Sequence, residues 1–141
     1  MRFTKLAVVL AVATALLAAC SNGDGSEGGD GGAADDLGWT RVSSTELQQM
    51  LEGEDVYLVN THVPFEGDIP GTDASIPYTE IASRIDDLPT SGDPKLVLYC
   101  RSGSMSTQAA QDLVDAGVTG FYELDGGFIA WNAEGLPFEG P

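Results

Sequence analysis

Cys100 closes an apolar run, Lys95-Leu96-Val97-Leu98-Tyr99-Cys100. It is followed at once by Arg101-Ser102-Gly103-Ser104-Met105-Ser106, small and polar residues that lead into a helical pattern. A loop of this composition can curl its backbone N–H groups around one centre, and the helix it enters adds partial positive charge at its start. A thiol placed there, beside Arg101, is held toward its thiolate, the form that attacks electrophiles. The arrangement suits a nucleophilic cysteine better than a packed structural one.

The chain has one other cysteine, Cys20, and a single histidine, His62. His62 follows the apolar run that ends at Asn60, so it shares a predicted sheet edge with Cys100. There it is a candidate accessory residue that holds the thiolate or delivers a proton to an acceptor; the plain alternative is a loop histidine with no chemical part. One histidine and one unmodified cysteine make no convincing metal ligand set, and nothing in the sequence calls for a cofactor.

Cys20 has a different setting. Arg2 and Lys5 precede an apolar stretch from Leu6 to Ala19 whose one polar member is Thr14. At 14 residues it falls short of the about 20 that span a bilayer as a helix. A basic start, an apolar middle and small residues at the end read as a secretory leader. Leu17-Ala18-Ala19-Cys20 looks like a bacterial lipobox, which implies cleavage before Cys20 and acylation of its thiol. Residues 1–19 are thus expected to be a lipoprotein signal peptide. Residues 20–38 are expected to be the lipidated cysteine and a flexible, self-repelling linker rich in Gly and Asp. Residues 39–141 would be one folded domain, exported and lipid-anchored at the outer face of a bacterial membrane, or periplasmic. With Cys20 acylated, Cys100 has no disulfide partner in the chain.

Charge narrows the partners. Six basic against 22 acidic residues give a net charge of -16, which excludes the basic face that nucleic acid binding needs and opposes adhesion to anionic headgroups. The composition is that of a single globular domain, expected to be a monomer.

The elements that carry the loop follow from periodicity. Ser43-Ser44-Thr45-Glu46 offers a capping box, and Leu47, Met50 and Leu51 fall at helical spacing, which predicts a helix from Ser44 to Glu52 stopped by Gly53. Asp55 to Asn60 and Lys95 to Cys100 read as buried strands, and Gly120 to Leu124 as a third. Ala109, Ala110, Leu113 and Val114 predict a helix from Ser104 to Ala116. Phe128 to Ala133 is a short last helix that carries Phe128 and Trp131 into the core, and Thr79 to Leu88 is helical with Ile81, Ile85 and Leu88 inward. Alternating strands and helices predict an α/β domain with a mostly parallel sheet covered on both faces, its working crevice beyond the carboxyl ends of the strands. Trp39 is expected to seal the domain's first turn.

Three segments together resemble the single-domain rhodaneses. Cys100 to Ser106 is similar to their persulfide-forming loop, and Asp125-Gly126-Gly127-Phe128-Ile129-Ala130-Trp131 with Glu134-Gly135-Leu136-Pro137 resembles their closing motif. Glu66-Gly67-Asp68-Ile69-Pro70-Gly71 with Ala74-Ser75-Ile76-Pro77 resembles the segment between their early strands. The resemblance covers residues 39–141. It implies a three-layer α/β fold with a five-stranded, mostly parallel sheet, and a sulfurtransferase that moves sulfane sulfur from thiosulfate or a persulfide to cyanide or a thiol through a Cys100 persulfide. Arg101, Ser102, Gly103, Ser104, Met105 and Ser106 would form the anion-binding loop. Relatives with a cradle one residue longer act as phosphatases or arsenate reductases; five residues between Cys100 and Ser106 match the shorter, sulfur-sized form. Three features depart from the family pattern. Met105 stands where many members have a second cation, Asn60 and His62 stand for the usual Asp and Arg, and Asp68 stands for the usual His. Met105 leaves Arg101 as the one cation of the loop, which in so acidic a domain makes thiosulfate a poorer donor in expectation. Together the departures leave the usual roles of those positions unassigned. They also keep open the alternative of a non-catalytic module that binds a partner or senses sulfur, and an exported site makes a protein donor or acceptor plausible.

Overall fold

The computed structural model describes residues 37–141; the expected leader over 1–19, Cys20 and the expected linker as far as residue 36 lie outside the described residues. Five strands form one sheet: β1 (Trp39–Val42), β2 (Val56–Asn60), β3 (Thr72–Ser75), β4 (Lys95–Tyr99) and β5 (Phe121–Leu124), in the order β1-β5-β4-β2-β3. Every neighbouring pair is parallel. Three α-helices cover the sheet, α1 (Ser44–Gly53), α2 (Ser104–Asp115) and α3 (Gly127–Ala133), together with a 3-10 helix at Ile81–Asp87.

The predicted helices and the three apolar strands are all present, with ends shifted by one or two residues. The helix expected over Thr79 to Leu88 is the tighter 3-10 form and is broken at Arg84, whose backbone leaves helical geometry. Ile81 and Leu88 are buried as expected, and Ile85 packs against them. Trp39 opens strand β1 and is buried there, and β3 had no counterpart in the periodicity. β3 reads Thr-Asp-Ala-Ser, a half-buried edge strand with no apolar run to betray it.

Strand alternation sorts the core into two layers. On β4, Leu96 and Leu98 face α2 and the 3-10 helix, where they meet Val59, Ile76, Ile81, Ala109, Ala110, Leu113 and Phe121. Val97 and Tyr99 face the other side, with Leu47, Leu58, Ile69, Leu124, Phe128 and Trp131. Both faces of the central strands are therefore dry, as a parallel sheet requires. Among the described residues, no helix is long and apolar enough to cross a membrane.

Helix α1 starts on the capping box read from the sequence. The Ser43 hydroxyl accepts from the Glu46 N–H, and the Glu46 carboxylate accepts from the Ser43 N–H at 2.8 Å. The Ser43 hydroxyl also donates to the Glu46 carboxylate, at 2.8 Å, and the two bonds that the carboxylate accepts, backbone first, hold the Glu46 carboxyl below its ordinary value. Ser43→Ala is expected to lower the unfolding free energy by about 1 kcal/mol at neutral pH. The Glu46 share of the cap is complete above the ordinary carboxylate range and is lost as pH falls through the depressed value, so the difference between variant and parent narrows in acid. Urea denaturation at two pH values measures both effects.

Candidate functional site

The crossing from β4 to α2 builds the site. Cys100 follows Tyr99 at the carboxyl end of the central strand and continues the alternation of Leu96 and Leu98, so its side chain falls on the α2 side. The Gly103 N–H donates to Cys100 Sγ at 3.1 Å, and the Ser106 hydroxyl lies 3.5 Å from the same sulfur. One backbone donor therefore reaches the sulfur, where the composition of the loop led us to expect several. The remaining amides of the first turn of α2 have no partner inside the helix. Gly103 takes φ +91° at the cap of α2, the left-handed region that glycine adopts without strain. Cys100 is 1% exposed, so the loop closes over it.

Helix α3 fixes the loop from the other side. The Phe128 N–H donates to the Cys100 carbonyl at 2.9 Å and the Ile129 N–H to the Arg101 carbonyl at 3.0 Å. Both loop carbonyls are thereby engaged by the start of α3. Gly127 packs directly on these two peptides.

Of the other loop residues, Ser102 and Ser104 are exposed and Met105 is half-buried. Arg101 lies more than half exposed, and its Nε is 3.2 Å from Glu66 Oε2. Glu66 also lies beside His62, with 3.5 Å between Oε1 and Nε2. His62 is buried with its ring edge-on to Phe128 at 5.6 Å, and neither ring nitrogen makes a hydrogen bond. The structure thus gathers Arg101, Glu66 and His62 into one chain of contacts beside the loop. Phe128 and Trp131 are core residues, as the sequence suggests.

Two of the positions that depart from the family pattern meet each other. Asn60 Nδ2 donates to Asp68 Oδ1 at 2.9 Å and to the Gly67 carbonyl at 3.0 Å, and its Oδ1 accepts from the His62 N–H. The Tyr99 hydroxyl also donates to Asp68, at 3.0 Å, and accepts from the Ile69 N–H. Burial pushes the Tyr99 phenol well above its usual range, so it serves this network as a neutral donor. The network ties the segment that carries His62 and Glu66 to the ends of β2 and β4.

Glu123 is the residue that sequence reasoning missed. It is 1% exposed and lies on β5 opposite Leu98 and Arg41, with its side chain on the α2 face. Its Oε1 accepts from Ser106 Oγ at 2.7 Å and Thr107 Oγ1 at 2.9 Å, and its Oε2 from Trp39 Nε1 at 3.2 Å. Arg41 Nε stands 3.4 Å from Oε2. An acid in an otherwise buried four-residue strand, at the alternation of Phe121, was the available signal.

The rhodanese-like domain family matches residues 43–134. A sulfurtransferase of Allochromatium vinosum is 38% identical over 104 residues, covering 71% of this chain and 94% of that protein. An uncharacterized protein of Synechocystis is 36% identical over 98 residues and 68% of this chain, which spans about half of that relative's length (54%). Among solved structures, the solution structure of the rhodanese-like domain from an Anabaena protein superimposes with a TM-score of 0.62 at 25% identity, over 72% of this chain and 79% of that one.

Proposed function

Because the chain belongs to the rhodanese-like domain family, we propose that it is a sulfurtransferase working through a persulfide on Cys100. The observation that carries this reading is the Cys100 sulfur at the start of α2, met by the Gly103 N–H and enclosed by a loop whose carbonyls are engaged elsewhere. In the first half-reaction the Cys100 thiolate attacks the outer sulfur of a donor. The donor's S–S bond breaks and its pair leaves with sulfite or an organic thiolate, giving a Cys100 persulfide anion. In the second, a thiol or cyanide attacks the terminal sulfur and the Cys100 thiolate departs. The unpaired amides at the start of α2 are suited to stabilise the persulfide anion, as preorganised donors do for other developing charges.

Glu66 beside Arg101 lessens the one positive charge of the loop, and the chain is acidic throughout. An organic persulfide is therefore the better donor in this reading, and dianionic thiosulfate the poorer. We further propose, on the sequence of the leader, that the protein works outside the cytoplasm, tethered to a membrane through lipid on Cys20.

The test is the intact mass of the chain after brief exposure to thiosulfate or to an organic persulfide. One added sulfur atom is expected, more from the persulfide, removable by cyanide or a thiol and retained when Cys20 is replaced by Ser. A folded chain with a free Cys100 thiol and no added sulfur from either donor overturns the proposal. That outcome would favour a partner-binding module, for which the exposed side chains of Phe65, beside Glu66, and Ile129, bonded through its N–H to Arg101, are the specific observation.

A further inference from the structure

Ser106 has one hydroxyl proton and three acceptors within reach. They are Glu123 Oε1 at 2.7 Å, the Gly103 carbonyl at 3.2 Å and Cys100 Sγ at 3.5 Å. A hydroxyl donates once, and an anionic oxygen at the shortest distance is the strongest claimant. The four groups facing Glu123 are all donors toward it, namely Ser106, Thr107, Trp39 and Arg41, and together they match the acceptor capacity of a carboxylate. With its proton committed to Glu123, Ser106 turns oxygen lone pairs toward Cys100. It can then accept from the thiol S–H but cannot donate to the thiolate.

We infer that Glu123 is a positioning residue that acts on Cys100 through Ser106, holding the Ser106 proton away from the sulfur and so withholding a hydrogen bond from the thiolate. The inference concerns the same cysteine as the proposed sulfur transfer, but it is read from proton equilibrium and not from turnover, so the two fail separately.

Glu123→Gln is the informative change because its orientation is determined. The indole N–H of Trp39 and the guanidinium of Arg41 can only donate, so the Gln carbonyl oxygen must face them and its NH₂ must face Ser106 and Thr107. Ser106 then accepts from the amide, and its own proton is shared between the Gly103 carbonyl and Cys100 Sγ, the sulfur becoming the stronger claimant once it is a thiolate. The remaining charged groups around the site are Arg41 on β1, His62 and Glu66 after β2, Arg101 in the loop and Asp125 after β5. They are the same in every variant.

The measurement is the ultraviolet absorbance of the Cys100 thiolate against pH in the full chain, taken as the difference from Cys100→Ser so that Cys20 and the tyrosines cancel. In Glu123→Gln the midpoint is expected to move to lower pH by roughly one unit, which makes the thiolate about tenfold more populated below it. In the Ser106→Ala background the same change should move the midpoint by clearly less, only by the part that loss of a nearby negative charge produces. An unmoved or raised midpoint in Glu123→Gln overturns the inference. So does an equal shift with and without Ser106, because that is what removal of a nearby negative charge alone would produce. Should Glu123→Gln fail to fold, Ser106→Ala alone decides: a Ser106 that donates to the thiolate predicts a raised midpoint on its loss, whereas the arrangement inferred here predicts a midpoint that is unchanged or lower.

Discussion

Cys100→Ser is expected to abolish sulfur transfer, lowering turnover by about four orders of magnitude or more while the domain stays folded. The substitution keeps nearly the same volume at a position that is 1% exposed, and the hydroxyl still accepts from the Gly103 N–H, so the packing of the loop between α2 and α3 is preserved. What is lost is the one thiol among the described residues able to carry the sulfur between donor and acceptor: an alkoxide is not formed at neutral pH, and a serine cannot hold sulfane sulfur as a persulfide. Assay with an organic persulfide and a thiol acceptor, alongside circular dichroism and thermal unfolding of both proteins, separates loss of chemistry from loss of structure. Turnover within tenfold of the parent would remove Cys100 from the reaction.

Gly127→Ala is expected to damage fold and site together. Gly127 takes φ +58°, and a Cβ built on it would collide with the Cys100 carbonyl oxygen and stand 2.6 Å from the carbonyl carbon and oxygen of Arg101. Those neighbours are backbone, so no side chain can rotate away. Relief requires α3 to withdraw from the loop, and withdrawal breaks the Phe128 and Ile129 N–H bonds to the two loop carbonyls. Left-handed backbone, lost hydrogen bonds and steric displacement together should lower the unfolding free energy by about 3 to 5 kcal/mol. Transfer activity should fall well beyond what the unfolded fraction explains, because the surviving folded molecules have a displaced loop. Chemical denaturation and specific activity per folded molecule are the measurements. A stable variant with normal activity would show that α3 does not set the loop.

The parts of this site that could be read from sequence are those encoded locally. Cys100, the small residues after it and the start of α2 are contiguous, so strand, loop and helix signals overlap and point to one place. The capping box of α1 is likewise contained in four residues, and it formed as expected. Glu123 was illegible for the opposite reason. Its contacts depend on β5 lying between β1 and β4, which sets Arg41 beside it and brings Ser106 and Thr107 over it, and neither neighbour can be inferred from a four-residue strand. The pairing of Asn60 with Asp68 was hidden in the same way: as isolated departures from a family pattern they look like losses, and only the turn between β2 and β3 shows that one supplies the donor and the other the acceptor. His62 was correctly placed near the sheet edge. Its burial against Phe128 needed the position of α3, which no local pattern gives.

The last residues of the chain close on the segment before β3. The Asp68 N–H donates to the Glu139 carbonyl and the Glu139 N–H donates back to the Asp68 carbonyl, both at 2.8 Å, while the Phe138 ring packs tilted against Phe128. Gly67 leaves no room for a Cβ beside Glu139. This short antiparallel clasp makes residues 138–141 a poor place to attach an affinity handle or a reporter, because whatever pulls Glu139 away also loosens the peptide that holds Glu66 near Arg101. It equally makes the clasp a natural observation post: the amide protons of Asp68 and Glu139 should exchange slowly with solvent, and their protection would report, without any assay of sulfur chemistry, whether the segment beside the cysteine loop is held in place.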